Sequence, residues 1–391
     1  MRCRIGTIAY LIVALAACES EPKTGVTVAD SAGVRITLTP DADSTFASVD
    51  PQPVMSLGGA DVSGPTQFSR IAGVYVDPRG NVWVADGGSA ELRLFRPDGT
   101  HWKTRGGRGE GPGEFRRLHL LGAFRGDSVA CWDDGLARLT VFDAEGELAR
   151  TAPMPPGAEA APRAYDVFVD GTLLAQFPRL LAGGSLEPGQ LLGDTAHLER
   201  LELSHLNRES LASAPGPTWV WTGHSQVPLP FTINPSFDLD GESLHLVAGP
   251  QFRVQVFEQG RLTEIYGVAR GPRKVTEKDV ATYAALMEDA LPQPQRREYL
   301  SALDHAARPR YLPAYYHVVV ADDGTVWARI YSPDLFGVAS WDVFDRQRRW
   351  LGQVRMPAGL TVNELKGDSL VGVWRDTLGV EYVRIYRLRH P

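Results

Sequence analysis

One short pattern recurs six times along the 391-residue chain: an apolar strand, a tight turn built on Asp and Gly, and a second apolar strand. The copies are Val74–Asp86, Ala123–Trp132, Val167–Leu174, Phe237–Leu246, Val319–Trp327 and Glu364–Val373. Asp and Gly occupy the tip because the reversal needs positive φ or a side chain that bonds its own backbone, and β-branched or aromatic residues flank it because they fit a pleated sheet. A repeat at this spacing decides the fold before any single residue does.

Several copies lead into a third strand and another turn, as at Leu92–Gly99, Leu139–Gly146, Val254–Gly260 and Trp341–Arg346, and then an outer strand such as His101–Thr104 or Leu262–Tyr266. Four antiparallel strands in each of six units predict an all-β fold, a six-bladed β-propeller. The sixth unit ends with three strands, the last over Val380–Leu388. The spare segment Gly33–Leu38 is therefore expected to pair onto that blade, closing the ring and removing two open edges. With 40 Gly, 28 Pro and 43% hydrophobic residues the composition is globular and turn-dense. A net charge of −7 offers no nucleic-acid footprint.

The first unit carries a more specific signature: Gly73–Asp77, Val82–Asp86, Leu92–Phe95 and the Gly-rich run Gly106–Phe115. It resembles an NHL repeat, and the chain resembles the six-bladed β-propeller lipoproteins of bacteria. At the N-terminus, Arg2 and Arg4 precede a thirteen-residue apolar run, Ile5–Ala17, too short for a bilayer span, which takes about 20 residues. Leu15-Ala16-Ala17-Cys18 resembles a lipobox. That resemblance implies cleavage before Cys18, acylation of its thiol and attachment to a lipid bilayer, with Glu19 leaning the anchor toward the outer membrane, facing the periplasm. The expected organisation is a signal over 1–17, an anchor and linker over 18–32 and the propeller over 33–391. Cys131 is then the one free thiol of the mature chain.

Insertions mark the candidate functional face. Residues 178–197 interrupt the third unit, and 274–311 separate the fourth from the fifth. Thr276-Glu277-Lys278-Asp279 reads as a capped helix start leading into Val280, Tyr283, Ala284, Leu286, Met287 and Leu291 at helical spacing, and a second helical stretch is expected over Arg296–Ala307. Both insertions fall in loop classes on one rim. The same rim should carry Arg70, Arg108, Arg117, His119, Tyr165, Asn234, Arg270, Arg273, Tyr315, Tyr316 and His317. Such a set suits an anionic, glycan-like or peptide ligand, Arg giving bidentate contacts and Tyr flat stacking.

Other chemistry finds less support. The Gly-rich run 106–113 lacks the Lys-Ser or Lys-Thr of a phosphate loop and reads as a connection between units. Arg125-Gly126-Asp127 occupies the repeated turn. A zinc site would need His119, His224 and His317 to meet across the ring; a calcium site would need Asn234, Asn363 and Glu364. The reading that follows is a binding or scaffold module without catalytic residues, metal or cofactor, taking a protein, peptide or glycan-like partner. A channel-centred metal-dependent lyase or lactonase-type hydrolase is the alternative.

Overall fold

The computed structural model describes residues 25–390 apart from 126, 156–160, 178–185, 188, 222, 224, 291–292, 294–295 and 298–307. The chain is mostly β, and the described strands form six separate sheets that follow one another in sequence. From inner to outer strand, the first sheet holds Ile71–Val76, Val82–Asp86, Glu91–Phe95 and His101–Gly106, and the second Leu118–Phe124, Ser128–Asp133, Arg138–Phe142 and Leu148–Pro153. The third holds Arg163–Val167, Leu173–Gln176, Leu191–Glu202, Asn207–Trp221 and Gln226–Pro228; the fourth begins Ser236–Asp240, Ser243–Val247, Arg253–Glu258 and Arg261–Ala269. Tyr315–Val320, Val326–Ile330, Ala339–Phe344 and Trp350–Met356 make the fifth, and Leu360–Lys366, Ser369–Arg375 and Glu381–Arg389 begin the sixth.

The turns work as their residue types require. Asp77 accepts from the Arg79 and Asn81 amides at 2.9 and 2.8 Å and from the Asn81 side chain at 2.8 Å, while Gly80 takes φ 83°. Asp143 and Asp345 cap later turns in the same way. Alternating side chains then fill the spaces between sheets, so each apolar cluster spans a seam. Trp83, Leu92, Leu118 and Phe142 join the first and second sheets; Trp132, Val141, Leu173 and Leu201 the second and third; Leu174, Leu198, Leu244 and Leu246 the third and fourth. Val254, Tyr266, Val318 and Phe344 pack the next seam, Trp341, Val354, Leu360 and Tyr386 the one after, and Val74, Val84, Val371 and Val383 join the sixth sheet back to the first. The arrangement is propeller-like, with inner strands around a common axis. They approach closely: a Cβ on Gly73 would lie 2.7 Å from that of Leu120 on the neighbouring sheet.

The N-terminal segment departs from the sequence expectation. Val34–Pro40 lies parallel to Arg261–Ala269 and adds to the fourth sheet, with Thr27–Ser31 outside it, so Gly33–Leu38 does not close the last unit. Met55–Gly58 supplies the missing fourth strand there, antiparallel to Glu381–Arg389, helped by Ser48–Val49. Between these strands the chain crosses the fifth sheet, where the Gln353 amide donates to Ser44 O at 2.8 Å and the Phe46 amide to Gln353 O at 2.9 Å. The segment is thus a strap over the outer edges of three sheets, and residues 27–31, expected in the linker, are part of it. A second departure is in the third sheet: Leu191–Glu202 and Asn207–Trp221 form a long hairpin, so 191–197 is strand rather than loop.

The Gly-rich run is a connection between sheets. Arg138 donates to the carbonyls of Glu110 and Gly111, both at 2.9 Å, and the Phe115 amide to Gly107 O at 2.8 Å. One helix, Glu277–Ala290, is described between the fourth and fifth sheets. Thr276 and Asp279 cap it reciprocally, the Thr276 amide reaching Asp279 Oδ2 at 2.8 Å and the Asp279 amide Thr276 Oγ1 at 3.3 Å. Val280 and Tyr283 seat it against Phe231, Leu312 and Tyr331. The second helical stretch falls largely outside the described residues.

Candidate functional site

Two cavities open at opposite ends of the inner strand Tyr315–Val320 of the fifth sheet. The first, about 240 Å³, is walled by the long hairpin (Pro217, Trp219), the segment Pro228–Asn234, helix residue Tyr283, and Tyr315, Tyr316, Tyr331 and Leu335. Its lining is aromatic and uncharged. Phe231 meets Tyr283 at 5.3 Å between ring centroids and Tyr316 meets Tyr331 at 6.3 Å, both tilted, and the Arg329 guanidinium stands 5.0 Å over Tyr316. The floor is rigid: Tyr315 donates to Asp342 Oδ2 at 2.9 Å, and the fully buried Asp342 also takes Arg270 at 3.1 Å, the Trp350 indole at 2.9 Å and Gln353 at 3.0 Å. The Trp219 indole nitrogen is buried at the wall without a partner among the described residues, a donor for an incoming acceptor.

The second cavity, about 440 Å³, is the central channel at the opposite, hairpin-tip end. All six inner strands line it, and it carries Tyr75, Tyr165, Asp166, Asp238, Asn363 and Glu364. The inner strands carrying Asp166 and Glu364 slip register at Ala164/Asp166 and Val362/Glu364, which re-aims these side chains, and the inner strand of the fifth sheet slips at Tyr315/His317. Burial pushes the Asp166 carboxyl up to about 8, aided by the Asp238 charge; burial likewise raises Asp238 to about 6, Glu364 to about 7 and the Tyr75 phenol to about 12.

The residues singled out from sequence do not converge on one funnel. Asn234, Tyr315 and Tyr316 meet in the aromatic cleft, and Tyr165 lines the channel, its hydroxyl donating to Gln176 at 2.9 Å. Arg70 and Arg108 are exposed and clamp one turn, donating to Gly87 O at 2.6 Å and Gly88 O at 2.8 Å. Arg117 is exposed on the loop that Asp133 caps. Arg270 is held by Asp41 at 2.7 Å and Asp342 and covers Phe252; Arg273 donates to the Tyr331 carbonyl. His119 pairs with Asp134 at 2.8 Å. His317 meets Ser236 Oγ at 3.1 Å and the edge of Trp341, and burial lowers it to about 4.

Cys18 and His224 lie outside the described residues, and buried Cys131 has its thiol pushed well up. Asn234 is in the cleft whereas Asn363 and Glu364 are in the channel, so the calcium set does not assemble. Among the described residues no group of three or more His, Cys, Asp or Glu could hold a metal ion. Sequence reasoning missed Trp219, Phe231 and Tyr331 at the cleft and Tyr75, Asp166 and Asp238 in the channel. For the last two a signal existed: each is an acid inside a short apolar inner strand.

No family model matches the chain, and no curated protein matches it. Among solved structures it resembles a member of the DUF4221 family from Bacteroides vulgatus, at 9% identity and TM-score 0.53 over 88% of this chain and 99% of that one. It is also similar to virginiamycin B lyase from Staphylococcus aureus, at 10% identity and TM-score 0.42 over 86% and 99%. The first likeness identifies a shared fold.

Proposed function

We propose that the chain is a six-bladed β-propeller of the bacterial cell envelope, lipid-anchored through Cys18 on the periplasmic side of the outer membrane. It binds a protein, peptide or glycan-like ligand on the face that carries the helix. The lipobox-like Leu15–Cys18 supports the anchor, and the six sheets with their six packed seams support the blade count. The observation that carries the binding reading is the aromatic cleft: nine aromatic or proline walls, no charged lining group, and a Trp219 indole N–H without a partner among the described residues. Such a cleft selects a neutral ligand with flat apolar faces and exposed acceptors. At about 240 Å³ it takes a ring or one to two residues of a longer chain.

Titration of the full chain with neutral oligosaccharides and proline-rich peptides, followed by tryptophan fluorescence, tests this. Tyr331→Ala and Trp219→Ala should each weaken binding at least about tenfold, the loss of one aromatic anchor. Binding unchanged in both variants would overturn the cleft as the site. A channel-centred hydrolase is the second reading, favoured by carboxyls raised into the range of general acids. Turnover of a lactone or ester panel, lost in Glu364→Gln and kept in Tyr331→Ala, would replace the first reading with it.

A further inference from the structure

The seams of the ring are not alike where they meet the channel. Between the fourth and fifth sheets, Asp238 Oδ2 accepts the Val320 amide at 2.7 Å and Ser236 Oγ the Val318 amide at 3.1 Å. Between the sixth and first, Glu364 accepts the Val76 amide at 2.8 Å, and Lys366 donates to the carbonyls of Val76 and Asp77. The seam between the third and fourth sheets instead sets two carboxyls, Asp166 and Asp238, on facing inner strands of one cavity. Asp166 takes its own neighbour's amide, Val167 N, at 2.6 Å. Farther from the axis this seam is fastened: Arg200 pairs with Asp170 at 2.9 Å and with Glu242 at 2.5 Å, and Leu174, Leu198, Leu244 and Leu246 pack behind.

We propose that the channel edge of this seam is a pH-responsive clasp: protonated, Asp166 and Asp238 let the two inner strands close; ionised, they part them and widen the hairpin-tip mouth. The hinge is the Arg200 bridge with the leucine cluster, which keeps the seam packed while its inner edge moves.

The charge balance around the pair favours this outcome. The other titratable groups facing the channel are Tyr75, Tyr165 and Glu364, and the surrounding tips add Asp77, Asp127, Asp240 and Asp322, with Lys366 beside Glu364, Arg163 over the Tyr165 ring and Arg200 out at the tip. The field is predominantly negative, so the Val320 amide on Asp238 is the relief that the neighbouring inner strand gives the ionised pair. Both carboxyls hold their protons more tightly than in water because of burial. Once the edge opens they hydrate and titrate normally, so opening releases protons and is driven by rising pH.

Amide hydrogen exchange on the full chain between about pH 5 and about pH 9 tests the clasp, with protection corrected for the intrinsic rate. The opening constant of the inner-strand segments around Val167 and Leu239 should rise about tenfold per pH unit for each proton released. Asp166→Asn, which keeps shape and cannot ionise, should flatten that dependence, and Asp238→Asn should do the same if the first variant does not fold. Asp322→Asn, the same charge change outside the facing pair, should keep the parent slope. A pH-independent opening in the parent, an unaltered slope in the Asn variants, or a slope equally flattened in Asp322→Asn would each overturn the proposal.

Discussion

The cleft and the channel share one strand, and its two ends have opposite chemistry. The inner strand of the fifth sheet runs from Tyr315 in the cleft to Val320 at the channel, about 17 Å at the usual rise per residue. At the Tyr315 end, rings exclude water, ionic groups are paired behind the wall, and the nearby His317 is held neutral. At the Val320 end, carboxyls keep their protons. The ends therefore answer pH with opposite sign. A histidine whose folded value lies below its unfolded one costs stability as pH falls from about 6.5, whereas an acid whose folded value is raised costs stability as pH climbs above the unfolded carboxyl range. The contrast teaches that one repeated strand can serve as a dry wall at one end and a proton store at the other, depending on which residues the inward positions hold.

The sharpest way to break the comparison is to remove the support of the dry end. Asp342→Ala strips the acceptor from Arg270, Tyr315, Trp350 and Gln353 at once. Leaving buried donors and a guanidinium short of a partner should cost about 3–5 kcal/mol, read from urea unfolding. A loss under about 1 kcal/mol would show that the floor of the cleft does not depend on this network. Next in size is the acid limb. Relative to His317→Gln, the parent should lose stability as pH drops from about 6.5 toward 4, by up to about 1.4 kcal/mol per unit, a contribution opposite in sign to that of the channel carboxyls, which both proteins share. His245, buried against Tyr266 and lowered to about 3, contributes in the same direction as His317 in both proteins. An acid limb identical in His317→Gln would remove His317 from the dry end.

How far the sequence reached depends on whether a feature was local. Turns such as Asp77-Pro78-Arg79-Gly80 and the Thr276/Asp279 cap are decided within a few residues, and they were readable. The place of Val34–Pro40 was not, because an alternating edge strand fits any open edge, and the choice of the fourth sheet rests on a parallel register to Arg261–Ala269 that no local pattern encodes. Met55–Gly58 is four residues long, too short to stand out. For the same reason Asn234, Tyr315 and Tyr316 could be placed on the insertion-bearing face, but their cleft partner Trp219 arrives from the third sheet and Tyr331 from the end of the neighbouring strand. The arginines misled because Arg70, Arg108, Arg270 and Arg273 serve as backbone and carboxylate clamps, a use that composition does not distinguish from ligand binding.

The smallest effect sharpens the other end. Glu364→Gln preserves an oxygen that can accept the Val76 amide at the first–sixth seam while removing the titration. Two consequences compete. Above about pH 7 the parent carries an ionised carboxyl in a tight, acid-rich channel, and the variant escapes that penalty; it also loses a charged acceptor and the attraction of Lys366. The channel is open to solvent at its mouth, which screens both terms, so the net should be a gain of roughly 1 kcal/mol at pH 8. At pH 5 the carboxyl is already protonated and the two proteins should melt together. A variant that is less stable at pH 8 would mean that the anion's bonds to Val76 outweigh its burial, making this seam a fastening of the ring rather than part of its proton store.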